Sequence, residues 1–147
     1  MTHTILVVDD ELLELHTIAQ MLTKEDFEVI TTQTAKDALD ILNHKNVHIA
    51  LLDVIMPNLN GIELLTKIKE LKPTVAVIMM SGYATLDTVV EAIKCGAENY
   101  VLKPFDNTLI LKVIKNVISS ISSKKFTKYQ EKLLDLIPLV NDYVLVR

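Results

Sequence analysis

At 147 residues, 50% of them hydrophobic and 23% charged, the chain can build one domain with a sizeable core but not two ordinary ones. Its longest uninterrupted apolar run, Val75 to Met80, falls far short of the roughly 20 residues of a membrane-spanning helix, and the opening MTHTILVVDD has no basic leader or cleavage site, so a cytoplasmic location without a membrane is expected. A net charge of −4 leaves no electrostatic footprint for nucleic acid, so direct binding to it is not expected, and the single cysteine, Cys95, permits no internal disulfide.

Two periods alternate along the chain. TILVV (4–8) reads as a buried strand, and the apolar residues Leu12, Leu15, Ala19 and Leu22 then recur at three and four, as on one face of a helix. FEVIT (27–31) is a second strand. Thr34 and Asp37 resemble a capping box ahead of a helix carrying Ala38, Leu39, Ile41 and Leu42. IALL (49–52) precedes a helix with Ile62, Leu65, Ile68 and Leu71, and VAVIMM (75–80) precedes one with Val89, Ala92 and Ile93, which Thr85 can cap. NYVL (99–102) is the fifth strand, followed by Asp106 as a cap and by Leu109, Val113, Val117 and Ile121. Strand then helix, five times over, implies an α/β fold, a doubly wound parallel sheet with right-handed crossovers and helices on both faces.

In such sheets ligands bind beyond the carboxyl ends of the strands, where strand order reverses. The unusual polar residues fall at those ends: Asp9 and Asp10 after strand one, Asp53 at the end of strand three, Ser81 at the end of strand four, and Lys103 with Pro104 after strand five. A strand order of 2-1-3-4-5 would make strands one and three neighbours at the switch point and bring three carboxylates together. Carboxylates that close repel one another and bind protons more tightly unless a cation sits among them. A hard divalent ion with oxygen ligands, Mg²⁺, is the economical answer. Read alone, Asp9 and Asp10 could instead be helix caps, Lys103 a surface lysine and Tyr100 a half-buried strand tyrosine. The only glycines are Gly61, Gly82 and Gly96, which excludes a glycine-rich phosphate loop. His3, His16, His44 and His48 share no metal-ligand spacing.

Four segments in this order, VVDDE (7–11), LLDVIMPNLNG (51–61), MMSGYATLD (79–87) and GAENYVLKPF (96–105), resemble the receiver domains of bacterial two-component response regulators over residues 3–121. The resemblance implies the flavodoxin-like sheet order 2-1-3-4-5 and a signalling phosphoacceptor that catalyses only its own phosphorylation and dephosphorylation. It implies that Asp53 accepts a phosphoryl group from a sensor histidine kinase or phosphotransfer protein, that Asp10 with indirect help from Asp9 holds Mg²⁺ together with Asp53, and that Ser81 and Lys103 contact the phosphoryl oxygens. Ser81 and Tyr100 would be the switch residues, and the Lys103–Pro104 peptide bond would be cis. The face of the fourth helix, fifth strand and fifth helix would be a candidate homodimer surface.

The position two after the phosphoacceptor is Ile55, whose backbone carbonyl is a further candidate metal ligand but whose side chain offers nothing polar to a hydrolytic water, so self-dephosphorylation is expected to be slow. The same residue argues against a phosphatase of the haloacid dehalogenase type, which wants a second acid there. A receiver-like protein-binding module that is never phosphorylated is the rival from another class, and the complete set of Asp9, Asp10, Asp53, Ser81 and Lys103 argues against it. Residues 122–147 carry Phe126, Tyr129, Leu133, Leu136, Ile137 and Val140 on a roughly helical spacing interrupted by Pro138. They are expected to form a helical extension or a linker toward an output domain, and the extension is a second candidate surface for dimerisation.

Overall fold

Five short aliphatic runs pair into one parallel sheet, β1 (Thr4–Val8), β2 (Glu28–Thr32), β3 (Ile49–Asp53), β4 (Ala76–Ser81) and β5 (Asn99–Leu102), in the order β2-β1-β3-β4-β5. The helices between and after them are α1 (Leu12–Lys24), α2 (Ala35–His44), α3 (Gly61–Leu71), α4 (Leu86–Lys94) and α5 (Asn107–Ser122). This computed structural model describes residues 2–56 and 60–122, and the expected extension beyond residue 122 lies outside them. The chain divides into two compact units, Met1–Leu111 and Lys112–Arg147, with the boundary inside α5, and the sheet and candidate site belong wholly to the first.

The three central strands are buried along their whole length, as the unbroken apolar runs require of strands covered on both faces. Successive side chains alternate between faces. Leu6, Val8, Ala50, Leu52, Val77 and Met79 form one core with Ala38 and Leu42 of α2, Leu64, Leu65 and Ile68 of α3, and Ala92 of α4. Their neighbours Ile5, Val7, Ile49, Leu51, Ile78 and Met80 point to the other face, where α1 lies against β1 and β2. At the amino end of the sheet, the Thr4 N–H donates to His48 Nδ1 at 2.9 Å, and His3 and His48 meet edge to face.

The helix starts follow from their caps. Thr34 accepts from the Asp37 N–H, Thr85 and Thr88 form a full capping box, and Asp106 Oδ1 accepts from the Leu109 N–H at 2.8 Å. The apolar stripe of α1 differs from the expectation. Leu15, Ile18, Met21 and Leu22 are buried, whereas Leu12 is 55% exposed. Leu71, Ile93, Leu109 and Ile121 are likewise exposed. All of these lie in or beside the terminal turns of their helices, where a periodic pattern runs on past the surface it can cover.

Gly61 fixes how close α3 comes to β3. Its N–H donates to Val54 O at 2.7 Å, and a Cβ at Gly61 would stand 2.1 Å from the backbone oxygen of Asp53. The Gly61→Ala variant is therefore expected to lose about 2–3 kcal/mol of stability, the upper range for forcing an extra carbon into a packed site. Urea denaturation checks this, and an unchanged midpoint would refute it.

Candidate functional site

The carboxyl ends of β1, β3 and β5 converge on one cluster. Asp53 is the last residue of β3, paired in register with Met80, so its backbone is held inside the sheet ladder. Its side chain is nearly buried, and Oδ1 accepts from the Ile55 N–H at 3.3 Å. Asp9 follows β1 and is fully buried; its Oδ1 accepts from the Glu11 N–H at 2.9 Å. Asp9 does not cap α1, whose N-cap is Glu11 without a side-chain cap bond; one of its oxygens closes a turn onto the Glu11 N–H, while the other faces the cluster. Carboxylate oxygens of Asp9, Asp10 and Asp53 all lie within 4.8 Å of one another. An all-oxygen set of three acids with this spacing fits Mg²⁺ in its chemistry.

Lys103 enters this cluster from the end of β5. Its Nζ donates to Asp9 Oδ2 at 2.8 Å, lies 3.4 Å from Asp53 Oδ2, and forms a close ion pair with Glu14 in the first turn of α1. The Lys103–Pro104 peptide bond is cis, and the Lys103 N–H donates to Ser81 O at 2.7 Å, joining the ends of β4 and β5.

Electrostatics follows from this crowding. Burial, together with the Asp9 charge, pushes the Asp53 carboxyl up to about 6 despite the nearby Lys103. Burial also acts to raise Asp9, but hydrogen bonds from Glu14, Lys103 and the Glu11 N–H outweigh it and hold Asp9 below the usual carboxylate range. Glu14 carries the complementary shift, pushed up to about 7 chiefly by the hydrogen bond it shares with Asp9 and then by burial. For Lys103 burial works against the charge, yet the bonds to Asp9 and Glu14 and the Asp53 charge prevail and hold the ammonium above its ordinary value.

The remaining predicted residues lie beside the cluster. Ser81 is fully buried and its Oγ is engaged with Tyr83, donating to the carbonyl at 2.8 Å and accepting from the N–H at 3.0 Å. Tyr100 of β5 packs its ring against the core, and among the described residues its hydroxyl is buried without a hydrogen-bond partner. Ile55 points its side chain outward at 59% exposure. A cleft of about 540 Å³ opens beside Lys103, with Leu13, Glu14 and Thr17 on one wall and Gly82 and Phe105 on the other.

Glu14 is the site residue that the sequence reading missed. Its signal was available, an acid in the first turn of the helix that starts at the switch point. First-turn acids are common for a different reason, the favourable interaction with the helix dipole, so the signal does not discriminate.

Comparison with known proteins agrees with this geometry. The family model described as response regulator receiver domain matches residues 5–115. The regulatory protein AtoC of Escherichia coli is 30% identical over 130 residues, covering 88% of this chain and 28% of AtoC. Across the curated relatives considered, the chain spans 23–38% of their length. Among solved structures, a CheY-like receiver domain protein from Methanospirillum hungatei superposes with a TM-score of 0.80 at 33% identity, covering 82% of this chain and 97% of that one. A response regulator from Burkholderia pseudomallei, solved with a phosphorylated aspartic acid, a calcium ion and citrate, gives 0.71 at 25% identity over 88% of this chain and 72% of its own. The sheet order, the convergent acids and these matches together place the chain in the response regulator receiver domain family.

Proposed function

We propose that this receiver domain is a phosphoacceptor, with Asp53 taking a phosphoryl group from the phosphohistidine of a sensor kinase or phosphotransfer protein. The observation that carries the reading is the convergence of Asp9, Asp10, Asp53 and Lys103 at one sheet end. An Asp53 carboxylate oxygen attacks phosphorus, the P–N bond breaks, and the donor imidazole keeps the electron pair. Such a transfer asks for positioning and for neutralisation of charge spread over the phosphoryl oxygens. Asp53 is positioned by the ladder, and the Lys103 ammonium supplies one positive charge. Asp10 and Asp53, Asp9 indirectly, and the Ile55 carbonyl are the groups that would hold Mg²⁺. Bound there, the ion would add Lewis-acid neutralisation of the same oxygens.

Ser81 and Tyr100 are the parts that would respond. Ser81 Oγ bonds only the Tyr83 backbone among the described residues, so turning it toward a phosphoryl group exchanges one acceptor for another. The unpartnered Tyr100 hydroxyl gives that rearrangement a second group with a hydrogen bond to gain. Exposed Leu86, Val90, Ile93 and Leu102 on α4 and β5 support a docking role for that side, a second copy of the chain being one candidate. In this reading the receiver unit covers residues 3–121, and the site works in the cytoplasm. No described helix is long and apolar enough to cross a membrane.

The test is intact mass after incubation with acetyl phosphate and Mg²⁺. One phosphoryl adduct is expected, absent without Mg²⁺ and absent from Asp53→Asn. No adduct, together with failure to bind beryllofluoride, would favour a binding module that is not phosphorylated. Because Ile55 offers a hydrolytic water no polar side chain, the phosphoryl half-life is expected to be at least as long as that of Ile55→Asn, and a much shorter one would overturn this point.

A further inference from the structure

Lys103 spends its hydrogen bonds away from Asp53. Its Nζ donates to Asp9 at 2.8 Å and to Glu14 in the closest contact, while Asp53 Oδ2 stands 3.4 Å away as an ion-pair partner without a hydrogen bond. A phosphoryl group on Asp53 would present new oxygens to the same nitrogen, and moving Nζ onto them asks one of its two bonded partners to release it. Asp9 cannot: its side chain is 0% exposed, and its second oxygen is fixed on the Glu11 N–H. Glu14 can. Its side chain is 35% exposed on the wall of the cleft, and two methylenes let its carboxyl turn into water at small cost.

Resting on the phosphoacceptor reading above, we propose that Glu14 is a positioning residue that holds the Lys103 ammonium on the α1 side of the site and must be displaced when Asp53 carries a phosphoryl group. Glu14 then acts as a competing acceptor. It keeps Lys103 ordered in the unmodified domain and weakens the site's grip on the phosphoryl group by the strength of the contact that has to break. The acid belongs to α1 rather than to any strand end, so the competition can be removed without touching Asp9, Asp10, Asp53 or Lys103.

Beryllofluoride affinity at saturating Mg²⁺, followed by fluorine NMR, tests this. Glu14→Ala is expected to bind about three- to tenfold more tightly than the parent, the effect of losing one partly exposed ion pair in which the lysine is mostly buried. With the buffer held well above pH 7 so that Glu14 is ionised, Glu11→Gln serves as the charge control, because it removes the same charge nearby from a side chain in no ion pair with Lys103. A gain confined to Glu14→Ala supports the proposal. An equal gain in both variants assigns the effect to net charge and overturns it, as does unchanged or weaker binding by a folded Glu14→Ala. Should the alanine variant fail to fold, Glu14→Gln, which keeps the side-chain length, is read in the same way. If the parent chain itself binds no beryllofluoride and forms no adduct, the phosphoacceptor reading and this proposal fall together, whereas parent binding with no gain in the variant removes the proposal alone.

Discussion

In metal-free buffer at neutral pH, Asp53→Asn is expected to be more stable than the parent chain. Asp53 is a carboxylate at 7% exposure with two other acids within 4.8 Å, and Lys103 stands further from it than from Asp9. Its upward-displaced proton affinity says the same thing, that the site disfavours the charge it holds. An amide of equal size removes that charge and leaves Lys103 paired with Asp9 and Glu14. The gain should be roughly 1–3 kcal/mol, part of the several kcal/mol that burying an ion costs, since Lys103 already offsets the rest. Mg²⁺ should reverse the ranking, stabilising the parent strongly and the variant weakly, because a ligand stabilises only the state that binds it. Urea denaturation with chelator and with Mg²⁺ checks both halves. A less stable variant in chelator would mean that Lys103 more than compensates Asp53.

Lys103→Met is expected to act in the opposite direction. Among the described residues Lys103 is the cation paired with Asp9, Asp53 and Glu14, and its side chain is 15% exposed. Methionine fills similar space but leaves three acids without a counter-charge. Removing one partner of a buried pair costs more than the pair was worth, because the orphaned charge stays behind, so a loss of about 2–4 kcal/mol is expected without metal. Mg²⁺ should restore part of it, and by more than it stabilises the parent, since the ion would take over a role the ammonium had filled. Thermal unfolding with and without Mg²⁺ makes the measurement. A variant as stable as the parent would show that the acids discharge by taking up protons at negligible cost.

Much of this fold is legible in the sequence because side-chain periodicity reports burial. Apolar runs located all five strands; 4–8 and 99–102 match the ladder, and the others differ by a residue at one end or both, 27–31 against Glu28–Thr32, 49–52 against Ile49–Asp53 and 75–80 against Ala76–Ser81. The reason is physical. Hydrophobic patterning reads side chains, whereas a strand ends where backbone pairing ends, and Asp53 and Ser81 are paired although polar. The same difference explains Leu12, whose spacing suits the α1 stripe but whose position in the first turn leaves it beyond the covering surface. Asp9, Asp10, Asp53 and Lys103 stand out because charge at the end of an apolar strand has no packing rationale. Glu14 does not stand out, since charge at the start of a helix has an ordinary one. Which acid faces Lys103 depends on the rotation of α1 about its axis, and that is set by the contacts of Leu15, Ile18 and Leu22 with the sheet.

The position of Asp53 within β3, bonded into the ladder beside Met80 and pressed by Gly61 from behind, separates two jobs that a signalling residue could combine. On the phosphoacceptor reading, the group whose chemistry changes belongs to a residue whose backbone is tied into the sheet ladder. Asp53 can therefore act as a fixed terminal, gaining and losing charge while its own backbone stays still. The groups that the proposed function leaves to move are those not anchored in that way, the Ser81 hydroxyl, the Lys103 ammonium and the Tyr100 ring at the edge strand. On that reading, information would leave the site as a redistribution of hydrogen-bond partners around a stationary charge.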